Sequence, residues 1–519
     1  MQFSKLFSAQ IVGLVPHIVD VEVDLSKGLN SFSLVGLPST SVDESRDRVS
    51  AAVKNSGFDS PKQKNQKTVI SLAPAELKKE GSHYDLAIAL AYLVASGETK
   101  FDPKGRLFLG ELSLDGVLRP IHGALLLANT AKNAGFTEIF LPTHNASEAA
   151  LVEGINVYGA RNLSEVLQHL DKKNKFFLTP TLRADTDKTN TTSDKTIVDL
   201  SHIKGQEFAK RALEISAAGN HNLAMWGPPG TGKTMLAQAF PHLLPDLQNE
   251  HSLEVTGIHS VAGTLRENIM TRPPLRAPHQ PLRAPHHTAS YPAVIGGGTV
   301  PKPGEITLAH RGVLFLDEFP EFDRRVIESL REPLEEGHIR ITRAKGHDTF
   351  PARFILLAAM NPCPCGKYGS EERCTCMPGT LASYTRKVSG PIMDRIELWV
   401  KVSHMSHDKL SSASTGESTS DVRERIAKAR ALQDARFTNH ARKITTNSEM
   451  RADDIETFIK LTPKLRALFN ASAERLKLSP RAHHKTIKVA RTIADLDNSS
   501  DIEERHILEA LAYRPTELR

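Results

Sequence analysis

One eight-residue stretch narrows the choice of fold more than anything else in the chain. Gly227-Pro228-Pro229-Gly230-Thr231-Gly232-Lys233-Thr234 fills the pattern G-x-x-x-x-G-K-[ST] at every fixed position. It stands between an apolar run, Leu223-Ala224-Met225-Trp226, and a helical one that starts at Met235. Strand, glycine-rich loop and helix in that order belong to a parallel α/β sheet. The glycines let successive backbone N–H groups converge on phosphate oxygens, Lys233 reaches the β- and γ-phosphates, and the Thr234 hydroxyl is placed to hold Mg²⁺. The expected ligand is a nucleoside triphosphate. A chance glycine-rich turn is the alternative, and it would not bring the flanking strand and helix with it.

Two further runs point to the same site. Val313-Leu314-Phe315-Leu316 reads as a buried strand that ends in Asp317-Glu318, and Phe354 to Met360 reads as another that ends in Asn361. Open α/β sheets place their chemistry at the C-terminal ends of the strands. Asp317 is expected to complete the Mg²⁺ shell, Glu318 to polarise the attacking water, and Asn361 to orient that water beside the γ-phosphate.

With 519 residues the chain is long enough for about three domains. Lys+Arg 66 against Asp+Glu 60 leaves a net charge of only +6, so the placement of the cations matters more than their sum. No apolar run reaches the ~18 residues of a membrane span, and Pro16, His17, Asp20 and Glu22 interrupt the apolar N-terminus, which argues against a signal peptide. The expectation is a soluble cytoplasmic protein. Residues 171–196 are polar and aperiodic and read as a linker after an N-terminal domain of residues 1–170. The ATPase domain is then expected over 197–405, and a helical C-terminal domain over 421–519, where the apolar spacing is 3.6.

Other motifs remain to be placed. All four cysteines fall in Cys363-Pro364-Cys365 and Cys374-Thr375-Cys376. Four thiolates in one short loop suit tetrahedral Zn²⁺, with a redox pair or free thiols as the other readings. Residues 334–350 alternate around a glycine-containing turn and predict a β-hairpin, with Arg343, Lys345 and His347 near its tip. The stretch from Arg266 to His287 is rich in arginine and histidine and broken by prolines. From Arg475 to Arg491 there are six Lys or Arg and no acid, with Arg481, Lys485 and Lys488 on one helical face; a solvated face and a DNA surface are both open readings. Aromatic residues suited to base stacking are scarce, so any nucleic acid would be held by its backbone.

Taken together, Ile203-x-Gly205-Gln206, the phosphate loop, Arg283-Ala284-Pro285-His286-His287, Pro303-Gly304-Glu305-Ile306, Leu314-Phe315-Leu316-Asp317-Glu318, Asn361-Pro362-Cys363-Pro364-Cys365-Gly366 and Ser389 to Arg395 resemble the ComM/YifB family of magnesium-chelatase-like AAA+ ATPases. The resemblance runs from Gln2 to about Ala512. It implies an α/β fold in three parts: a Lon-protease-like N-terminal domain, an AAA+ phosphate-loop domain and a helical lid. It also implies ATP and Mg²⁺ as cofactors, a homohexamer, and branch migration of single-stranded and branched DNA during natural transformation, with a recombinase as a possible partner. Ile203 and Gly205 would flank the nucleotide, Arg395 would act on a neighbour's nucleotide as a finger, and Arg481 would take the sensor-2 position. The hairpin with Arg343, Lys345 and His347, and the insert with Arg283, His286 and His287, would line the pore and meet DNA. A magnesium-chelatase-type ATPase that remodels a protein partner is the alternative.

The Lon-like resemblance stops at the chemistry. Where those proteases carry Lys-Asp-Gly-Pro-Ser-Ala-Gly, this chain has Lys79-Glu80-Gly81-Ser82-His83-Tyr84-Asp85, with His83 in the nucleophile position. Leu125 falls in the place of the catalytic lysine, and a leucine cannot deprotonate a serine. Ser82 with Lys78 or Lys79 is the remaining candidate for a substitute dyad.

Overall fold

The computed structural model describes residues 2–171, 176–182, 198–265, 281–298, 302–343, 346–369, 373–404 and 416–515. The chain divides into two compact units, Met1–Asn190 with Ser252–Arg276, and Thr191–His251 with Ala277–Arg519.

In the first unit, strands Phe3–Val12, Val15–Lys27, Gln66–Ala73 and Ser31–Val35 form a four-stranded sheet in that order. The first two pairings are antiparallel and the last is parallel. Along Val15–Lys27 the side chains of Val19, Val21, Val23 and Leu25 are buried while Asp20, Glu22 and Asp24 are not, the period-two pattern of a half-buried strand. Helix Asp85–Ala95 is apolar nearly all round because it lies inside the same core as Leu6, Val21 and Ile70. A three-stranded parallel sheet, Arg106–Phe108, Glu138–Pro142 and Asn156–Ala160, adds a second layer. Its rings Phe108, Phe140 and Tyr158 stack at centroid spacings of 5.1 and 5.0 Å.

Two features of this unit depart from the sequence reading. Residues 176–182 are not free linker: Leu178 N donates to His169 Nδ1 at 3.0 Å, and Thr181 N donates to the Val157 carbonyl at 2.8 Å. Residues 252–265, which lie within the stretch read as ATPase domain, pack with the N-terminal unit. There the Ser260 hydroxyl donates to the buried Glu148 carboxylate, which also accepts from Leu125 N at 2.8 Å. Burial raises the Glu148 pKa against the pull of these donors.

The second unit is built on five parallel strands in the order Leu282–Arg283, Val313–Leu316, Ile355–Met360, Leu223–Trp226, Leu398–Lys401. Val313–Leu316 and Ile355–Met360 are buried at every position, as strands covered on both faces must be. Helices Thr419–Phe437, Pro463–Arg475, Pro480–Leu496 and Glu504–Ala512 follow the last strand and share a core with the sheet. Their starts are written in the sequence: Thr462 and Ser479 cap helices whose first residue is proline, which has no N–H to leave unpaired. The hairpin is present, with His338–Arg343 antiparallel to Gly346–Pro351 and Arg343 paired to Gly346.

On the basic face of helix Pro480–Leu496, Arg481 is exposed, whereas Lys485 and Lys488 are engaged within the unit. Lys485 is half-buried and paired with Glu397, Lys488 Nζ donates to the Ser448 carbonyl at 2.9 Å, and Arg491 Nε donates to Asp495 at 3.1 Å. Burial pushes the Lys488 pKa down to about 8 and lowers that of Lys485. Within the charge run, Lys485 ties this helix to the segment before the edge strand. Asp495 is an i,i+4 partner on the same helix, whereas Glu397 comes from beside the edge strand, where helical periodicity does not reveal it.

Candidate nucleotide site

The strand ends meet as the phosphate-loop pattern requires. Gly227 has to be glycine because a Cβ there would fall 2.0 Å from the Val402 carbonyl oxygen. Gly230 and Gly232 adopt φ of +76° and +90°, open to glycine at no steric cost. Pro228, Pro229 and Thr231 complete the loop, with the Thr231 hydroxyl donating to Pro228 O at 3.0 Å. Lys233 is 8 % exposed; its Nζ donates to Gly227 O at 2.7 Å, Pro228 O at 2.8 Å and Asn361 Oδ1 at 3.3 Å. Burial lowers its pKa, and the Asp317 charge opposes this. Thr234 Oγ1 donates to Asp317 Oδ2 at 3.0 Å, so hydroxyl and carboxylate converge where a cation would sit.

Glu318 follows in a left-handed conformation, φ +52°, with its N–H donating to Asp317 Oδ1 at 2.9 Å. Its half-exposed carboxylate carries Oε2 3.1 Å from Nδ1 of His287. Asn361 sits at the end of its strand, and its carbonyl accepts from the Tyr384 hydroxyl at 3.3 Å. Ile203 is buried in the core of this unit, and Gly205 at φ +61° turns the chain into helix Glu207–Gly219.

Arg395 and Arg481 converge on one carboxylate. Arg395 is 7 % exposed; its Nη2 donates to Glu335 Oε2 at 2.7 Å and its Nη1 to the Pro391 carbonyl at 2.8 Å. Arg481 pairs with the other oxygen of Glu335. Both guanidiniums are therefore engaged within their own chain. Sequence reasoning missed Glu335, one of several acids in the helical run before the hairpin, where nothing in spacing distinguishes it from Glu332 or Glu336.

The residues assigned to DNA lie in different settings. Lys345 and the side chain of Arg343 are outside the described residues, as are 266–280; His347 is exposed on the second hairpin strand, opposite Thr342. Arg283 makes a bidentate pair with Glu305, at 2.6 and 2.7 Å, and so serves the fold. His286 is exposed, its ring tilted against that of His287 at a centroid spacing of 4.2 Å.

The cysteines come together. Cys363, Cys365 and Cys374 sulfurs lie 3.3, 3.8 and 3.6 Å apart, and Cys376 joins them with all four Sγ atoms within 4.8 Å of one another. A tetrahedron with Zn–S bonds of ~2.3 Å has edges of about 3.8 Å, so the set fits a tetrahedral thiolate site. N–H groups of Lys367 and Thr375 pull the Cys365 thiol down, while crowding among the sulfurs raises those of Cys374 and Cys376, so without a cation the four thiols do not ionise together. Gly366 in this loop abuts the phosphate loop: a Cβ there would lie 2.6 Å from Pro229 Cδ.

In the N-terminal unit no serine–lysine dyad is assembled among the described residues. The Ser82 hydroxyl donates to Glu111, Lys78 pairs with Glu80 at 2.7 Å, and the buried Lys79 ammonium donates to the Pro74 carbonyl. His83 is half-buried, and its loss of hydration lowers its pKa to about 4, while Leu125 is buried in helix Ala124–Asn133.

Comparison with known proteins agrees with this constellation. Residues 199–410 match the family model for magnesium chelatase subunit ChlI, residues 21–145 match a model for subunit ChlI of Mg-chelatase, and residues 416–514 match that for the ChlI C-terminal region. The chain is 41% identical over 521 residues to competence protein ComM of Haemophilus influenzae, covering 99% of this chain and 98% of that protein. It is 41% identical over 519 residues to YifB of Escherichia coli, covering 99% and 97%. The magnesium-chelatase 38 kDa subunit of Rhodobacter capsulatus is 26% identical over 179 residues, 32% of this chain and 51% of that protein. The chain belongs to the ComM/YifB family of magnesium-chelatase-like AAA+ ATPases.

Proposed function

We propose that this AAA+ ATPase is a homohexameric, cytoplasmic DNA motor that drives branch migration of single-stranded and branched DNA in recombination during natural transformation, with a recombinase among its partners. The observation that carries the proposal is the hairpin His338–Pro351, which leads directly into the strand bearing Asn361 at the nucleotide site. A cationic tip on an element so connected transmits nucleotide state to a phosphate backbone. The likeness to competence protein ComM along 99% of the chain supports the setting.

In this reading ATP lies on residues 227–234, with Ile203 and Gly205 beside it, and Thr234 and Asp317 hold Mg²⁺, which neutralises phosphate charge when bound. Glu318 accepts the proton of a water whose oxygen attacks the γ-phosphorus, the bond to the β-bridging oxygen breaks, and ADP and phosphate leave. Asn361 orients that water. Arg395 serves the neighbouring subunit's γ-phosphate and Arg481 acts as sensor 2, so each must first leave Glu335. The Lon-like domain, residues 1–170, is a scaffold without a protease dyad; residues 171–196 lead to the ATPase domain at 197–405, with 176–182 packed on the first unit and 252–265 contributed to it, and the lid occupies 421–519. Cys363, Cys365, Cys374 and Cys376 hold structural Zn²⁺.

Arg343→Ala combined with Lys345→Ala tests the motor directly. For every phosphate that is no longer neutralised, the slope of log affinity against log salt becomes shallower by about 0.7 to 0.9. Basal ATP turnover is expected to persist, while DNA stimulation and branch migration fall alike on unrelated sequences. Wild-type branch migration in the double variant rules out the hairpin as the gripping element. Wild-type protein without DNA-dependent turnover or strand movement rules out the motor and favours remodelling of a protein partner.

A further inference from the structure

We propose that a cavity at the N-terminal edge of the five-stranded sheet binds a phosphate group, at a site separate from the phosphate loop. Arg311, Arg353, Arg430, Thr445 and Glu449 line it, together with Gly312 and Phe354. Gly312 and Phe354 immediately precede strands Val313–Leu316 and Ile355–Met360, whose far ends carry Asp317 and Asn361. Five residue steps of about 3.3 Å separate Gly312 from Asp317, so the cavity lies roughly 16 Å from the nucleotide site. Its volume is about 80 Å³. That is room for several waters or one tetrahedral oxyanion, and far below the ~300 Å³ at which small-molecule pockets begin.

A cation taken out of water needs a counter-charge close by. Arg430 is half-buried, and no carboxylate forms an ion pair with it among the described residues. Its Nε and Nη2 donate to the same carbonyl, that of Ala217, at 3.3 and 2.7 Å. Ala217 lies in the last turn of helix Glu207–Gly219, and a helix end offers partial negative charge but no counter-ion. Loss of hydration lowers the Arg430 pKa to about 10, against the pull of Glu449 and Asp434.

The other two arginines are set beside it by backbone geometry. Arg311 adopts φ +58°, a left-handed conformation that non-glycine residues seldom take, and its N–H donates to the Arg353 carbonyl. The Arg353 N–H donates in turn to His310 Nδ1 at 3.0 Å. Glu449, the acid among the lining residues, does not clasp Arg353: Oε1 stands 3.7 Å from Nη1, too far for a hydrogen bond. Its other oxygen accepts from the Thr445 N–H at 2.8 Å and from the Thr445 hydroxyl at 3.2 Å. Three guanidiniums thus line one small cavity against a single carboxylate that is bonded elsewhere. Planar N–H forks of this kind match the oxygens of a phosphate.

Free phosphate and a nucleic-acid backbone present the same oxyanion, and the test has an arm for each. The full chain is first saturated with Mg²⁺ and a non-hydrolysable ATP analogue, which fills the phosphate loop. Calorimetric titration then follows at constant ionic strength, with inorganic phosphate in one arm and a single-stranded oligonucleotide without terminal phosphates in the other. Arg353→Gln keeps the methylenes that pack beside Gly337 and removes the guanidinium; affinity should fall about tenfold. Glu449→Gln keeps an acceptor for Thr445 and removes the opposing charge, and should tighten binding severalfold. Lys443→Gln, at an exposed position outside the cavity, should change little. A response to inorganic phosphate makes free phosphate the ligand, and a response to the oligonucleotide alone makes it a backbone phosphate. The proposal is overturned if Arg353→Gln and Glu449→Gln shift neither titration, or if Lys443→Gln weakens binding as much as Arg353→Gln. Phosphate binding is read without hydrolysis or strand movement, so a failure of the motor reading would leave this site standing.

Discussion

Lys233 is the residue on which nucleotide binding turns. Its ammonium is buried against two loop carbonyls and Asn361, a place it keeps at the cost of desolvation that lowers its pKa. Lys233→Ala is expected to weaken nucleotide binding by roughly a hundredfold or more, through the loss of charge-assisted hydrogen bonds to phosphate. Glu318→Gln keeps the shape of the site and is expected to bind normally while hydrolysis stalls. Titration with a fluorescent nucleotide reads both, and equal affinity for Lys233→Ala and wild type would refute the assignment. At this scale the residues of the phosphate loop, Asp317, Glu318 and Asn361 are legible in the sequence, because local backbone geometry dictates residue type at fixed spacing. Glu335 and the contact between His287 and Glu318 are not. Each depends on two strands or helices far apart in sequence meeting in space, and no spacing rule encodes that meeting.

Among the elements, the hairpin and the capped lid helices follow from local pattern, since alternation and Ser or Thr before proline act over a few residues. The lid's basic helix shows the limit of that reasoning: the cations are visible in sequence, but Glu397, the partner that turns Lys485 inward, is not. The cysteine loop is readable as a ligand set, whereas its abutment on Pro229 through Gly366 is not. That abutment makes a prediction. Purified protein should carry about one zinc per chain, and Cys365→Ser should lose it together with some nucleotide affinity, as the wall beside Pro229 loosens. Metal analysis and nucleotide titration of the same preparations check this, and metal-free wild type of normal affinity would remove zinc from the account.

For the whole molecule, the decisive matter is where Arg395 works. Within one chain it is buried against Glu335, which Arg481 shares, so both arginines are held until that carboxylate lets go. If Arg395 acts in trans, mixing Arg395→Ala with Lys233→Ala chains should restore part of the turnover that neither shows alone, at interfaces that pair an intact finger with an intact phosphate loop. Turnover across a series of mixing ratios is the measurement. No recovery at any ratio, with co-assembly demonstrated, would place Arg395 in its own subunit's chemistry. Another consequence follows from residues 252–265, which complete the N-terminal unit by bringing Ser260 to the buried Glu148 and Leu253 to the apolar cluster around Leu125 and Leu127. A chain leaving the ribosome finishes residue 182 long before residue 260. The first unit to begin folding is thus still incomplete when the phosphate loop has already emerged, and it closes only after part of the second unit has been made.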